Sequence, residues 1–195
     1  MKITTFTGKE SKDNLNDLLT KNKNKIVSMF QDAFGADSPY KEDRSNPADI
    51  MSAMTVPLDK NGSLIVWKID DDIVWITTIY PLLVDDKKDD LIALLCADFD
   101  IPIEKFIDEK VIYACDTFVD KNAKRKGIGT ELYQERLKIS KERGYEYFVW
   151  TTSSEESNTI ALAYHKKNGM SFSAKGYKIA SAYSDAIRCL MLQKL

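Results

Sequence analysis

The sequence predicts a mixed α+β domain in which helices and strands are both numerous. Apolar residues recur at helical spacing in Lys23–Phe34 and again after Gly129. The runs SLIVWKI and IVWITTIY are instead rich in β-branched and aromatic residues, as strands are. With 195 residues the chain is long enough for one sizeable core and short for two. We therefore expect a single domain, 1–195.

The composition excludes several classes of protein. The formal net charge is -2, with 44% hydrophobic and 30% charged residues, which argues against a general nucleic-acid or membrane-surface binder. The longest apolar stretch, IVWITTIYPLLV, is too short to span a bilayer, and the start MKITTFTGKESKDN lacks the apolar core of a signal peptide. Three widely spaced cysteines suggest neither a disulfide framework nor a metal site. We expect a cytoplasmic protein with no metal, no nucleic-acid partner and no membrane partner.

The first third predicts a short strand followed by helices. Lys23–Phe34 has an apolar face at helical spacing, and Gly35 is a plausible stop. A second helix is predicted over 47–54. From Gly62 onward, SLIVWKI and IVWITTIY flank three aspartates at 70–72 and predict a β-hairpin. The large aromatic side chains of this hairpin either line a pocket or lie, half of them, in the core; they are Trp67, Trp75 and Tyr80.

Further elements follow in order along the rest of the chain. Residues 85–100 read as a helix with an acidic first turn, which the helix dipole favours, and IPIEKFID reads as a short helix or turn. Residues 110–119 read as a strand, and Gly144 is expected to end the helix that follows the glycine loop. The remaining predictions are a strand at YEYFVWTT, a helix over 158–168 ended by Gly169, and strands over 172–182 and 186–193.

The stretch KRKGIGTEL, residues 124–132, concentrates cations and glycines between a strand and a helix. The amides of a helix N-terminus point outward with about half a positive charge, and they form a ready site for phosphate. Gly127 and Gly129 let the backbone approach an anion closely, and three cations stand at the rim. The alternative is a glycine-rich turn with solvated basic residues. The loop composition favours the hypothesis that this loop binds a phosphorylated ligand.

Two common phosphate-binding motifs do not fit this loop. A nucleoside triphosphate loop needs a lysine followed by serine or threonine after Gly129, and none is there. A dinucleotide fingerprint needs a third glycine where Leu132 stands, and a parallel βαβ unit that the preceding hairpin does not suggest. A nucleotide-binding protein therefore remains only a third hypothesis.

KRKGIG follows a strand that ends at Val119, and SNTIALAYHKKNGMSF follows about 30 residues later. With these two motifs, the region from residue 111 to the end resembles the GNAT superfamily of N-acetyltransferases. The resemblance implies a central, mostly antiparallel twisted sheet with a V-shaped splay, flanked by helices. It also implies that the stretch at about 84–108 is an insertion, which either shapes a substrate pocket or forms a lid.

The resemblance implies that acetyl-CoA is the co-substrate and lies between the strand ending at Val119 and the next strand. Its pantetheine arm would meet the backbone of 117–119, and its pyrophosphate the amides of the glycine loop. The cofactor-binding residues implied in this way are Thr117, Phe118, Val119, Lys124, Arg125, Lys126, Gly127, Ile128, Gly129, Thr130, Asn158 and Lys167. Read locally, Asn158 is also a helix cap and Lys167 a favourable cation in a last helical turn.

The implied reaction is direct attack of a primary amine on the thioester in a ternary complex. By resemblance Tyr164 is the general acid, since a phenol with a pKa near 10 can protonate a thiolate; packing at the core edge is the alternative. Asp116 faces away from Thr117 and Val119 by strand alternation and is the candidate base, unless it is exposed or salt-bridged and water serves instead. His165 points about 100° from Tyr164, and we expect it on a solvated face.

The acceptor is a small-molecule amine or a protein amine. Acidic clusters at 70–72, 85–90 and 98–100 either attract a cationic amine or are a hairpin turn and a solvated helix start. The chain is expected to act as a monomer or homodimer. The competing hypothesis from another class is a catalytically silent acyl-CoA-binding or regulatory module on the same fold.

Overall fold

Eight strands form one sheet in the computed structural model of the chain. The structure describes residues 2–8, 11–34, 46–84, 89–124, 127–153, 159–178 and 187–195. The strands are β1 (Lys2–Thr7), β2 (Ser63–Ile69), β3 (Asp72–Pro81), β4 (Val111–Val119), β5 (Tyr147–Ser153), β6 (Ser171–Phe172), β7 (Tyr177–Lys178) and β8 (Ile187–Lys194). Their order is β1-β2-β3-β4-β5-β8-β6, with β7 also beside β8. Among these pairs only β4–β5 is parallel, which confirms the predicted mostly antiparallel sheet.

Seven α-helices accompany the sheet in the described part of the chain. They are α1 (Lys12–Lys21), α2 (Lys23–Phe34), α3 (Pro47–Asp59), α4 (Asp89–Phe99), α5 (Glu104–Ile107), α6 (Ile128–Glu142) and α7 (Thr159–Lys167). The helix predicted over Lys23–Phe34 is confirmed at both ends, although its proposed stop, Gly35, lies outside the described residues. α3 runs beyond the predicted end at 54 because its last turn buries Leu58 in the core.

The two faces of the sheet are covered by different helices. Along β2, Leu64 and Val66 lie in a core shared with α1, α2 and α3, whereas Ile65 and Trp67 lie in the core shared with α6. The segment predicted as an insertion packs on the first of these faces, beside β4, β5 and β8. There α4, α5 and the segment between them bury Leu91, Ile92, Leu95, Ile101 and Phe106. These helices are part of a hydrophobic core.

A β-bulge in β4 changes which side chains face α6. Thr77 of β3 stands opposite Thr117, but Ile79 stands opposite Ala114, so two β4 residues face the single Thr78. Ala114 belongs to the α6 core, whereas Phe118, an even number of residues later, belongs to the core of the opposite face. The extra residue therefore reverses the alternation and turns Thr117 toward α6.

β4 and β5 separate beyond a short paired segment. They are paired from Val111 with Tyr147 to Ala114 with Trp150. β4 then continues to Val119, while β5 continues to Ser153 with β8 as its partner throughout. The result is a V-shaped opening between the two strands, which we call the splay, and the last pair before it, Ala114 with Trp150, is its fork. The splay lies where the resemblance implied it.

The tail differs from the sequence prediction. The strand expected over 172–182 is replaced by two short strands, β6 and β7, which pair with different parts of β8. Between them the Ser173 amide donates a hydrogen bond to the Leu190 carbonyl, and the Ser173 hydroxyl donates to the Lys175 carbonyl, which closes a turn. This turn interrupts the strand because its polar side chain competes for the backbone. Residues 179–186 lie outside the described residues.

Candidate active site

The connection between β4 and α6 is fixed at its start by Asp120. Its carboxylate accepts a 2.7 Å hydrogen bond from the Asn122 amide and caps a 3₁₀ turn at Lys121–Ala123. It also forms an ion pair with Lys25 of α2. Burial raises the pKa of Asp120, but the bonds from Lys25 and Asn122 outweigh this and hold it below its usual value. The loop therefore leaves the end of β4 in a defined direction.

The first turn of α6 presents backbone donors. Gly127 precedes the helix at φ 77°, a left-handed conformation that favours glycine, and no side chain caps the helix in the part that the structure describes. The Thr130 amide bonds back to the Gly127 carbonyl at 3.0 Å, so Ile128 and Gly129 are the residues whose amides open this end. A β-carbon on Gly129 would stand 3.0 Å from the Trp75 ring, which explains the second glycine. These open backbone amides make the first turn of α6 a candidate anion site.

One wall of the splay is the last part of β4. Phe118 is 1% exposed, and its ring meets those of Phe30 and Phe34 edge-on in the opposite core. Thr117 points toward α6 and shares a 2.7 Å hydrogen bond with Thr77. Phe118 thus has only its backbone to offer a ligand in the splay, as the predicted role requires. Val119 is half-buried beside the α6 core.

Asp116, the candidate base, lies in the bulge. Its side chain is 9% exposed, and the strand pattern places it on the face of Phe118, opposite Thr117. Its role as a base stays a prediction.

Tyr164 of α7 extends toward the first turn of α6. Its hydroxyl donates to the Gly129 carbonyl at 3.3 Å, and its ring lies edge-on to Tyr133 at 6.2 Å. An O–H···O bond of this length is weak, so the hydroxyl can exchange its partner at little cost. The phenol is thus half-buried between the first turn of α6 and Tyr133.

The expectation of a solvated His165 was wrong. This side chain is 4% exposed and meets the Trp150 ring edge-on at 4.3 Å. Burial, followed by the charge of Arg136, lowers the pKa of His165 to about 4, so the imidazole is neutral at physiological pH. Its Nδ1 has no hydrogen-bond partner among the described residues. His165 faces inward because it is the residue through which α7 packs on Tyr133 and Trp150.

Sequence reasoning missed Arg136, which stands in the middle of α6. Its side chain is 1% exposed, donates from Nη1 to the Thr117 hydroxyl at 3.2 Å, and places Cζ 4.1 Å from the centre of the Trp150 ring. Burial lowers the pKa of this guanidinium to about 10. Its spacing could have indicated that it is buried, because Arg136 is four residues after Leu132 and four before Ser140, both of which are fully buried.

The other predicted site residues divide into two groups. Lys124 and Thr130 are exposed at the two sides of the α6 loop, and Lys167 is exposed in the last turn of α7. Arg125, Lys126 and Asn158 lie outside the described residues. Of the hairpin aromatics, Trp67 is fully buried and Tyr80 nearly so, while Trp75 is half-buried beside Gly129. The structure brings Tyr164 to the first turn of α6 through the Gly129 carbonyl, and Thr117 to the middle of α6 through Arg136.

The chain belongs to the acetyltransferase (GNAT) family. The family's model matches residues 26–170, from α2 through the end of α7. That range contains the bulge, the splay and the anion site, so the shared region is the one that forms the candidate site. A search of curated protein sequences found no match.

Several solved structures share the fold at low sequence identity. A ribosomal-protein-alanine N-acetyltransferase from Brucella melitensis is 14% identical, with a TM-score of 0.63 over 90% of this chain and 95% of its own. A phosphinothricin acetyltransferase from Sinorhizobium meliloti, solved in complex with acetyl-CoA, is 10% identical, with a TM-score of 0.64 over 100% of this chain and 89% of its own. The smu.2055 protein from Streptococcus mutans is 18% identical, with a TM-score of 0.63 over 100% of this chain and 99% of its own.

Two searches of the described residues had negative results. No group of three or more His, Cys, Asp or Glu side chains there could hold a metal ion. No helix in the same residues is long and apolar enough to cross a membrane.

Proposed function

We propose that the protein is a cytoplasmic, acetyl-CoA-dependent N-acetyltransferase that transfers an acetyl group to a primary amine. The observation that carries this proposal is the combination of the splay with the uncapped first turn of α6 at its open end. Family membership supplies acetyl transfer as the reaction class. The amine acceptor is part of the proposal.

In this proposal acetyl-CoA lies along β4 beyond the fork. The first turn of α6, at Ile128 and Gly129, holds the pyrophosphate through backbone amides and the helix dipole. The backbone of 117–119 holds the pantetheine arm, and this leads the thioester toward the bulge. Lys124, Arg125, Lys126, Asn158 and Lys167 supply further contacts to the donor. Acetyl-CoA in the Sinorhizobium meliloti structure supports this choice of donor.

The amine enters from the face that carries Asp116 and attacks the carbonyl carbon. A nitrogen–carbon bond forms, the carbon–sulfur bond breaks, and the electron pair leaves with the sulfur. The amine loses its extra proton to Asp116 or to water, and Tyr164 gives its hydroxyl proton to the thiolate. A backbone N–H near Phe118 polarises the carbonyl oxygen, a contribution of a few kcal/mol in such sites.

The acceptor is a small-molecule amine or a protein amine, bound by a monomer or a homodimer. The Brucella melitensis enzyme, by its name, acts on a ribosomal protein, which supports keeping protein amines in the panel. The second candidate function is a silent acyl-CoA-binding module. The half-buried phenol beside the first turn of α6 favours an enzyme over that module.

The test is the release of CoA thiol from acetyl-CoA over a panel of polyamines, aminoglycosides and lysine-bearing or N-terminal peptides. We expect amine-dependent turnover with at least one class and an acetylated amine of matching mass. Tight binding of acetyl-CoA without turnover across the panel would support the silent module. Thermal protection by ATP or NAD but not by CoA would refute an acyl-CoA site of either kind.

A further inference from the structure

Arg136 is a buried cation without an anionic partner in the described part of the chain. Its guanidinium makes one hydrogen bond, from Nη1 to the Thr117 hydroxyl, and its Nε has no partner there. Buried arginines that serve packing alone normally satisfy their donors or pair with a carboxylate, because an uncompensated buried charge is costly. The stacking on Trp150 offsets part of this cost. The rest of its charge is uncompensated within the described residues.

Aromatic and hydroxyl side chains surround the guanidinium. Tyr133 faces it from α6, and burial raises the pKa of that phenol to about 12. Tyr164 and His165 face it from α7, and His165 is neutral because its pKa is about 4. Thr117 and Trp150 complete the surroundings from β4 and β5. Arg136 is therefore the positive charge of this cluster, and no described carboxylate opposes it.

The position of Arg136 matches the reactive end of the proposed donor. Thr117 is on β4 beyond the fork, and Trp150 is the last β5 residue paired with β4, so the guanidinium bridges the two walls where they part. It is nine residues into the helix from Gly127, which at 1.5 Å per residue is about 13 Å from the anion site. The pyrophosphate is thus served by the first turn of α6, and Arg136 lies deeper, toward the bulge.

We propose that Arg136 stabilises the CoA thiolate as it leaves the acetyl group. When the amine nitrogen bonds to the carbonyl carbon and the carbon–sulfur bond breaks, the sulfur receives the electron pair and becomes negative beside the fork. A guanidinium a few ångströms away lowers the energy of this anion until Tyr164 supplies the proton. The inference rests on the proposed function, because it needs the thioester in the splay.

The experiment measures the thiol pKa of CoA bound to the protein. CoA labelled with ¹³C at the carbon that bears the sulfur reports ionisation through its chemical shift, and the protein's own cysteines do not interfere. With wild-type protein we expect the pKa of the bound thiol to lie about one unit or more below that of free CoA. In Arg136→Met, which keeps a long apolar side chain, this difference should vanish. Arg136→Lys should restore part of it.

Steady-state kinetics provide the second measurement. Arg136→Met should lower kcat roughly tenfold or more, because the interaction forms only as the sulfur becomes negative, while the Kd for acetyl-CoA changes little. A bound-thiol pKa equal to that of free CoA in the wild type overturns the inference without any variant, and leaves acetyl transfer standing. Calorimetry that detects no binding of CoA would overturn both the inference and the proposed function.

Discussion

Replacing Tyr164 by phenylalanine is expected to lower kcat by about 100-fold or more, the usual contribution of a positioned general acid. The Kd for acetyl-CoA should be nearly unchanged, since the hydroxyl makes one weak bond, to the Gly129 carbonyl at 3.3 Å. The ring contact with Tyr133 is kept in the variant, so packing is preserved. Stopped-flow or steady-state thiol release with a saturating amine measures kcat, and calorimetry measures Kd.

Two control variants sharpen this result. Tyr145→Phe removes a hydroxyl near the other end of α6 and should leave kcat unchanged. His165→Gln removes the neighbouring imidazole, which is already neutral because its pKa is about 4. The pH profile of kcat in His165→Gln should therefore match that of the wild type between about pH 6 and 9. Full activity of Tyr164→Phe would refute the role of Tyr164 as the general acid. A changed pH profile in His165→Gln would indicate that the imidazole takes part in catalysis.

Replacing Gly127 by aspartate is expected to weaken binding of acetyl-CoA by roughly 100-fold. The variant places a carboxylate beside the proposed pyrophosphate, and a like-charge contact near a protein surface costs a few kcal/mol. A β-carbon at this position meets nothing within 4 Å, so bulk is not the cause of the loss. Calorimetry with acetyl-CoA and with CoA measures the effect.

Gly127→Asn is the matched control for charge. Asparagine and aspartate have nearly the same shape, and both tolerate the φ of 77° better than other side chains, so the two variants share the backbone strain. Only the aspartate adds a charge. Equal losses in the two variants would attribute the effect to strain, and unchanged affinity in both would remove the first turn of α6 from the donor site.

The elements with strong periodicity were predicted well. α2 and the β2–β3 hairpin follow directly from their 3.6-residue and alternating patterns, because each pattern by itself states which side is buried. The glycine loop before a helix was also predicted, and the structure places Gly127 at φ 77° before the uncapped first turn of α6. Its role in binding the donor stays a prediction. The sequence did not predict α1 as a separate helix, because its surface is mostly polar and only a few of its residues, such as Leu15 and Leu19, are buried.

The interior of the candidate site could not be predicted in the same way. The bulge in β4 depends on how β3 pairs with it, and no local pattern in 111–119 encodes an extra residue. His165 was predicted to be exposed to solvent and Arg136 was overlooked, because a polar residue is normally exposed. Both are buried through Trp150, a residue of β5 that only the folded chain brings beside α6 and α7.

The central claim is that the splay and the first turn of α6 hold the donor, and amide hydrogen exchange tests it directly. On adding acetyl-CoA we expect slower exchange at 117–119 of β4 and at 128–130 of α6, because their backbone groups become bonded to the ligand. Amides of β1 and β2, on the far side of the sheet, should not change. Protection confined to other segments, with these two unaltered, would contradict the claim.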